Sequence, residues 1–319
     1  MKTWFITGCS SGLGSGMAKY FLEQGDQVVA TARKVESLEQ FANEKNALIL
    51  PLDVTKIETI DQAISKALEK FGKIDVLINN AGFGFRGAVE EANDSEIDRI
   101  WQTNFFGAVH MIQKVLPSMR ENRSGTIVNI TSIAAFETAA GSGYYGATKA
   151  ALESISDALR KETTPLGIRV MIVEPGPFKT DFAGRSLAIS EKNISDYDET
   201  SGKRKFRNDP HTECRLGDPT LAAKVISEVL NQKEIPARLL LGSDAVEIGE
   251  RYCENRLRFF NGNHSASRQI LSNKKELPDR SNDLSGSFFH SGLEIFLSDR
   301  ILFRLDNFFS VINLNLNLS

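Results

Sequence analysis

Cysteine is scarce in this chain: there are three in 319 residues, Cys9, Cys214 and Cys253, widely spaced and odd in number. That pattern offers neither a disulfide framework nor paired metal ligands and points to a reducing compartment. The four histidines form no ligand-like cluster, so a metal-dependent mechanism has no support. A basic surplus is missing too. With a net charge of −3 the chain cannot neutralise a run of phosphates, which argues against nucleic acid as a partner. Nowhere do about 18 apolar residues follow one another, as a membrane-spanning helix requires. The first residues, Met1 to Thr7, read as an opening strand rather than as a targeting segment. Together these absences lead to the expectation of a soluble cytoplasmic protein.

What is present is alternation. Short runs rich in Val, Ile and Leu at 2–7, 27–31, 47–50, 74–78, 126–130, 169–173 and 238–241 read as parallel strands covered on both faces. Helical patterns lie between them. One, from Ser95 to about Met119, places Ile97, Ile100, Trp101, Phe105 and Ala108 at spacings of three and four. Another starts where Asp218 can cap the chain and Pro219 suits the first helical position. The expected architecture is α/β, a doubly wound parallel sheet forming a single domain over 1–271, with a polar lid at 183–217 that is mobile in its middle. A C-terminal tail, 272–319, is expected to be poorly ordered, although Ile301, Leu305, Phe308 and Ile312 would share one face of a short helix there.

Two clusters of residues carry chemistry. Thr7-Gly8-Cys9-Ser10-Ser11-Gly12-Leu13-Gly14 joins the first strand to a helix. Glycines at 8, 12 and 14 let the backbone turn tightly and approach a pyrophosphate, which then rests on the positive helix N-terminus. At the end of the second strand, where an NAD enzyme usually carries an acidic residue, the chain reads Ala30-Thr31-Ala32-Arg33-Lys34. Arg33 can pair with a 2′-phosphate through charge-assisted hydrogen bonds, so NADP is expected over NAD. Asp53, with Val54 beside it, ends the third strand near the place of the adenine. In the second cluster Tyr145 and Lys149 lie four apart on one helix face, and Ser132 follows a strand thirteen residues earlier. Asn104 sits inside the long preceding helix, an awkward place for an amide. Tyr144 points about 100° away from Tyr145 and reads as packing.

These motifs in this order resemble the classical short-chain dehydrogenase/reductase family over residues 1 to about 245, with a look of its retinol- and hydroxysteroid-converting members. The resemblance implies a Rossmann fold and assigns Asn104, Ser132, Tyr145 and Lys149 as a catalytic tetrad. It adds Asn80, Ala81 and Gly82 after the fourth strand to the cofactor site, and with them Pro175, Gly176, Phe178 and Thr180 on the nicotinamide side. It implies that Tyr145 is the acid/base, that Ser132 steadies the substrate oxygen, and that Lys149 holds the nicotinamide ribose. Asn104 would orient a relaying water. A tyrosine's ordinary pKa near 10 would have to fall by about 3 to work near pH 7, which is about 4 kcal/mol. Lys149 and the oxidised nicotinamide would both favour the phenolate. The substrate would be a small molecule bordered by Phe83, Phe85, Ile133, Ala134, Phe178 and Phe182, an apolar lining without an arginine clamp. Homo-oligomers are the family's habit. Three readings stay open: a carbonyl/alcohol oxidoreductase acting on an uncharged lipophilic molecule, a 3-oxoacyl-thioester reductase using Lys203, Arg204, Lys205 and Arg207 as a landing patch for a carrier protein, and a non-catalytic NADP-binding regulator.

Overall fold

The computed structural model describes residues 1–178, 186–205 and 217–268, the last eight of these as backbone only. The tail stripe at Ile301 to Ile312, Cys214, Phe182, Arg207 and Thr180 lie outside the described residues. Seven strands form one parallel sheet: β1 (Thr3–Ile6), β2 (Gln27–Ala32), β3 (Ala47–Pro51), β4 (Val76–Asn79), β6 (Gly125–Ile130), β7 (Ile168–Pro175) and β9 (Arg238–Leu241), in the order β3-β2-β1-β4-β6-β7-β9. The order reverses between β1 and β4, and a crevice opens beyond the carboxyl ends of strands at such a switch point. This is the doubly wound sheet expected from the alternation of strands and helices.

Side chains along each strand alternate between two cores. Trp4, Ile6, Val28, Val76, Ile78, Val128 and Met171 face α1 (Gly12–Glu23) and α7 (Pro219–Leu230). Phe5, Val29, Leu77, Ile127 and Val170 face α2 (Ile57–Phe71) and α4 (Gly107–Glu121). Every residue of β1, β4 and β6 is buried, which is why those runs lack a polar period. Trp4 stacks on Phe21 of α1 with ring centroids 3.7 Å apart. The capping read from Asp218 is present, its Oδ1 accepting from the Thr220 N–H at 2.7 Å with Pro219 in the first turn.

Two features depart from the sequence reading. The helix expected over 95–119 is α3 (Asp94–Trp101) followed by one π turn, Gln102–Phe106, before α4 begins. The wider turn shifts the helical phase, so the expected apolar stripe is buried at Ile100 and Ala108 but only partly at Trp101 and Phe105. Two three-residue strands, β5 (Gly84–Arg86) and β8 (Leu187–Ile189), pair in parallel as a separate small sheet. β8 belongs to the segment expected as a mobile lid. Over 186–205 that segment is tied to the body. Arg86 Nη1 donates to the Arg204 carbonyl at 2.8 Å, the Ile194 N–H donates to Glu91 Oε1 at 2.8 Å, and the Tyr197 hydroxyl donates to Glu90 Oε2 at 2.7 Å. Two of these bonds use backbone groups of the segment, at Ile194 and Arg204, and one uses the Tyr197 side chain. The remaining helices are α5 (Gly143–Thr163), the short α6 (Lys203–Lys205) and α8 (Ser243–Arg268). Among the described residues no helix is long and apolar enough to cross a membrane.

Candidate active site

The loop after β1 meets the loop after β4 across the switch point. Thr7 Oγ1 accepts from the backbone N–H groups of Asn80 at 3.0 Å and Ala81 at 2.9 Å, while Asn80 Nδ2 donates to the carbonyls of Thr7 and Gly8 at 2.9 and 3.0 Å. Asn80, expected to touch a cofactor, therefore also holds the glycine loop in place. Gly8 and Gly12 stand at φ +74° and +60°, where a side chain would be strained. A Cβ at Gly14 would overlap the Gly8 carbonyl oxygen and come within 2.5 Å of Asn80 Nδ2. Ser11 occupies the N-cap of α1 without a side-chain cap bond, and the first turn holds no acidic residue. The helix thus presents its first N–H groups and its positive end toward the loop, which fits a pyrophosphate. Cys9 is buried in this turn, and burial pushes its thiol up to about 12, so it packs as a small apolar group.

Arg33 is exposed immediately after β2, with exposed Lys34 beside it. Asp53 spends Oδ1 on Thr55, at 3.0 Å from its N–H and 2.7 Å from its hydroxyl. Val54 is buried and sits under Gly107, whose absent Cβ leaves it room. On the other side of the crevice the Gly176 N–H donates to Leu241 O at 2.9 Å, fixing the turn after Pro175. Phe178, partly buried, rests against Gly217 and the core beside α1 and α7.

The four residues of the expected tetrad come together from three elements. Asn104 lies in the π turn, 1% exposed. Its Oδ1 accepts from the Phe83 N–H at 3.0 Å and its Nδ2 donates to the Phe83 carbonyl at 2.9 Å. The amide so clamps the Asn-Asn-Ala-Gly turn, and the wide turn is what aims it there. Gly82 packs beside both Asn104 and Lys149: a Cβ on it would be 3.1 Å from Asn104 Oδ1 and 3.5 Å from Lys149 Nζ. Lys149 is buried and its Nζ donates to the Ile130 carbonyl at 2.8 Å. Ser132 accepts from the Ala134 N–H at 3.1 Å and its hydroxyl hydrogen-bonds to the Tyr145 phenol. Tyr144 donates to the Val89 carbonyl at 3.2 Å and meets Phe85 edge-on, which is the packing role expected for it.

Desolvation dominates the electrostatics of the pair. Burial pushes the Tyr145 phenol up to about 12, with only the Ser132 hydrogen bond pulling the other way. Burial also lowers Lys149 to about 8, against a raising influence from Glu153. Lys149 aims its ammonium at a backbone carbonyl, so desolvation outweighs it at the phenol.

Beside the tetrad, a cavity of about 160 Å³ is bordered by Phe83, Phe85, Arg99, Ala188 and Ile189. The Arg99 guanidinium stands 4.8 Å above the Phe83 ring, so the lining is not wholly apolar. Tyr145 is not among its walls. The basic landing patch is not assembled among the described residues: Lys205 is buried against Glu91 at 3.5 Å, and Lys203 pairs with Glu199 at 2.6 Å. Sequence reasoning missed Thr7, whose hydroxyl binds the two loops, and Glu153, which continues the Tyr145–Lys149 spacing by four residues and was open to the same argument.

The family model for short chain dehydrogenases matches residues 2–188. The oxidoreductase BOA17 of Botryotinia fuckeliana is 37% identical over 79% of this chain and 93% of its own length. A 3-ketodihydrosphingosine reductase of Bacteroides thetaiotaomicron is 37% identical over 74% of this chain and 86% of its own. Among solved structures, a short-chain dehydrogenase from Streptomyces avermitilis superposes with a TM-score of 0.78 at 37% identity, covering 85% of this chain and all of that one. A short chain dehydrogenase from Burkholderia cenocepacia in complex with NADP has a TM-score of 0.65 at 25% identity, covering 82% and 98%. The chain belongs to the short-chain dehydrogenase family and is an NAD(P)-dependent oxidoreductase acting on CH–OH groups.

Proposed function

We propose that the enzyme uses NADP to interconvert a carbonyl and an alcohol on an uncharged, lipophilic small molecule, with Tyr145 as the proton-transferring group. The observation that carries this reading is the Tyr145–Ser132 hydrogen bond with Lys149 buried on the same helix face, four residues on. Preference for NADP is supported by exposed Arg33 beside the loop and by the Burkholderia relative that holds it.

The nicotinamide, when bound, supplies or accepts the hydride. This chain's residues do the rest. The helix N-terminus of α1 and the glycine loop hold the pyrophosphate, and Arg33 takes the 2′-phosphate. Ser132 donates to the substrate oxygen and steadies the charge that develops there. Tyr145, kept protonated across the neutral range by burial, gives its proton to that oxygen. A phenol held in this state suits reduction of a carbonyl. Lys149 orients the ribose and stands behind the phenol as it loses its proton. Phe83 and Ile133 offer apolar surface to the substrate, and the Bacteroides relative is named as a 3-ketodihydrosphingosine reductase.

A substrate panel read by NADPH absorbance, comparing long-chain ketones, steroids, retinoids and acyl thioesters, tests the reading. Turnover confined to the acyl thioesters overturns it.

A further inference from the structure

The face of α5 that carries Tyr145 and Lys149 continues at the same spacing with Glu153 and Asp157, so four ionisable side chains stand in a row. The end of β6 meets them in step. Ile130 accepts from Lys149 at 2.8 Å, Thr131 Oγ1 lies 2.9 Å from Glu153 Oε1, and Ser132 bonds to Tyr145. Behind Glu153, on β7, stands Glu174 at 0% exposure, its carboxyl oxygens without a hydrogen bond. One guanidinium serves the group: Arg238 of β9 approaches Asp157 at 2.7 Å, Glu174 at 3.2 Å and Glu153 at 3.9 Å. Burial, and after it the Glu174 charge, raises the Cys253 thiol of α8.

Asp157, a third exposed, takes the closest contact with Arg238, so two buried carboxylates, Glu153 and Glu174, would otherwise share what remains of one guanidinium, a costly arrangement. A proton on one of the two relieves that cost. Burial accordingly raises both Glu153 and Glu174 above the usual carboxylate range.

We propose that Glu153 and Glu174 share one proton and act as positioning residues for Lys149, the negative charge resting on Glu153 deciding how firmly Lys149 stays an ammonium. This rests on the reading of Tyr145 and Lys149 as the proton-transfer pair. Charge on Glu153 favours the Lys149 ammonium; charge displaced to Glu174 withdraws that support. The pair links the interior between β7 and α5 to the residue behind the phenol, and its remaining proton leaves to solvent as pH rises.

The test follows the Lys149 titration directly in the full-length protein. Carbon-13 at lysine Cε gives one resonance per lysine, and Lys149→Met identifies the one that matters. In the parent protein its midpoint should lie at about 8. Glu153→Gln should lower that midpoint by about one pH unit. Glu174→Gln leaves Glu153 the sole holder of the charge and should raise it. Thr131→Val, which removes the hydroxyl that steadies the Glu153 charge, should lower it and serves if Glu153→Gln does not fold. Carboxyls with a merely structural role would loosen the site alike, so midpoints that move the same way in both glutamine variants, or in neither, overturn the proposal. The titration needs no turnover, whereas failure of the Tyr145 reading would appear separately, as activity that survives Tyr145→Phe.

Discussion

The loop after β1 and the inner face of α5 lie on opposite sides of the same crevice and are built on different principles. In the loop the working groups are backbone: N–H donors at the start of α1, with glycines where any side chain would collide. On α5 they are side chains, and an uncommon number of them are buried and polar: Thr148, Lys149, Glu153, Ser156 and Thr163. A backbone site tolerates almost no added volume and is indifferent to pH. A buried ionisable site tolerates isosteric changes in shape but responds to charge.

The largest effect should come from the polar side. Tyr145→Phe removes only the hydroxyl, so NADPH should still bind, by fluorescence titration, while turnover falls by about 10²–10⁴. Tyr144→Phe should be mild, and equal losses in the two variants would refute the assignment. On the backbone side, Gly14→Ala forces a methyl onto Gly8 and Asn80. It should cost about 1–3 kcal/mol in urea unfolding and abolish measurable NADPH binding. Arg33→Ala lies between the two regimes. It should weaken NADPH by about tenfold to a hundredfold, the loss of one charge-assisted bond, and leave NADH unchanged.

Charge sensitivity can be read in stability. Lys149 is lowered to about 8 in the folded protein, against an ordinary value of 10.5. Between those values the unfolded chain binds the proton that the folded one has released, so stability should rise with pH there, by about 1–3 kcal/mol. Tyr145, raised to about 12, acts in the opposite sense, its contribution falling only above pH 10. Urea midpoints for the parent protein and Lys149→Met, compared between about pH 8 and about pH 10, should diverge in favour of the parent. The smallest effect is expected at the far end of the chain. A protein ending at Leu271 should stay soluble and bind NADPH with near-normal affinity; aggregation or lost turnover would place the tail within the functional unit.

Much of this was legible locally. Alternating apolar runs announced the sheet because both its faces are covered, and Gly8, Gly12, Gly14, Arg33, Ser132, Tyr145 and Lys149 fall within short motifs whose spacing reflects a single turn or helix face. The π turn at Asn104 was not legible, since a one-residue change in helical phase leaves no compositional mark. Nor were β5 and β8, each too short to show a period, or the docking of 186–205, which uses backbone groups of Ile194 and Arg204 and the Tyr197 hydroxyl against Glu91, Arg86 and Glu90.

The sequence by itself determined the sheet and the glycine turn that leads into α1, because each depends on residues close together in the chain; the proposed tetrad, spread from Asn104 to Lys149, rested on a family resemblance. Only the tertiary structure decided the protonation chemistry. It buries Lys149 and desolvates the Tyr145 phenol, and it places Glu174 and Arg238 from β7 and β9 beside Glu153 of α5. Desolvation and long-range charge depend on what surrounds a group in space, and no spacing along the chain encodes that.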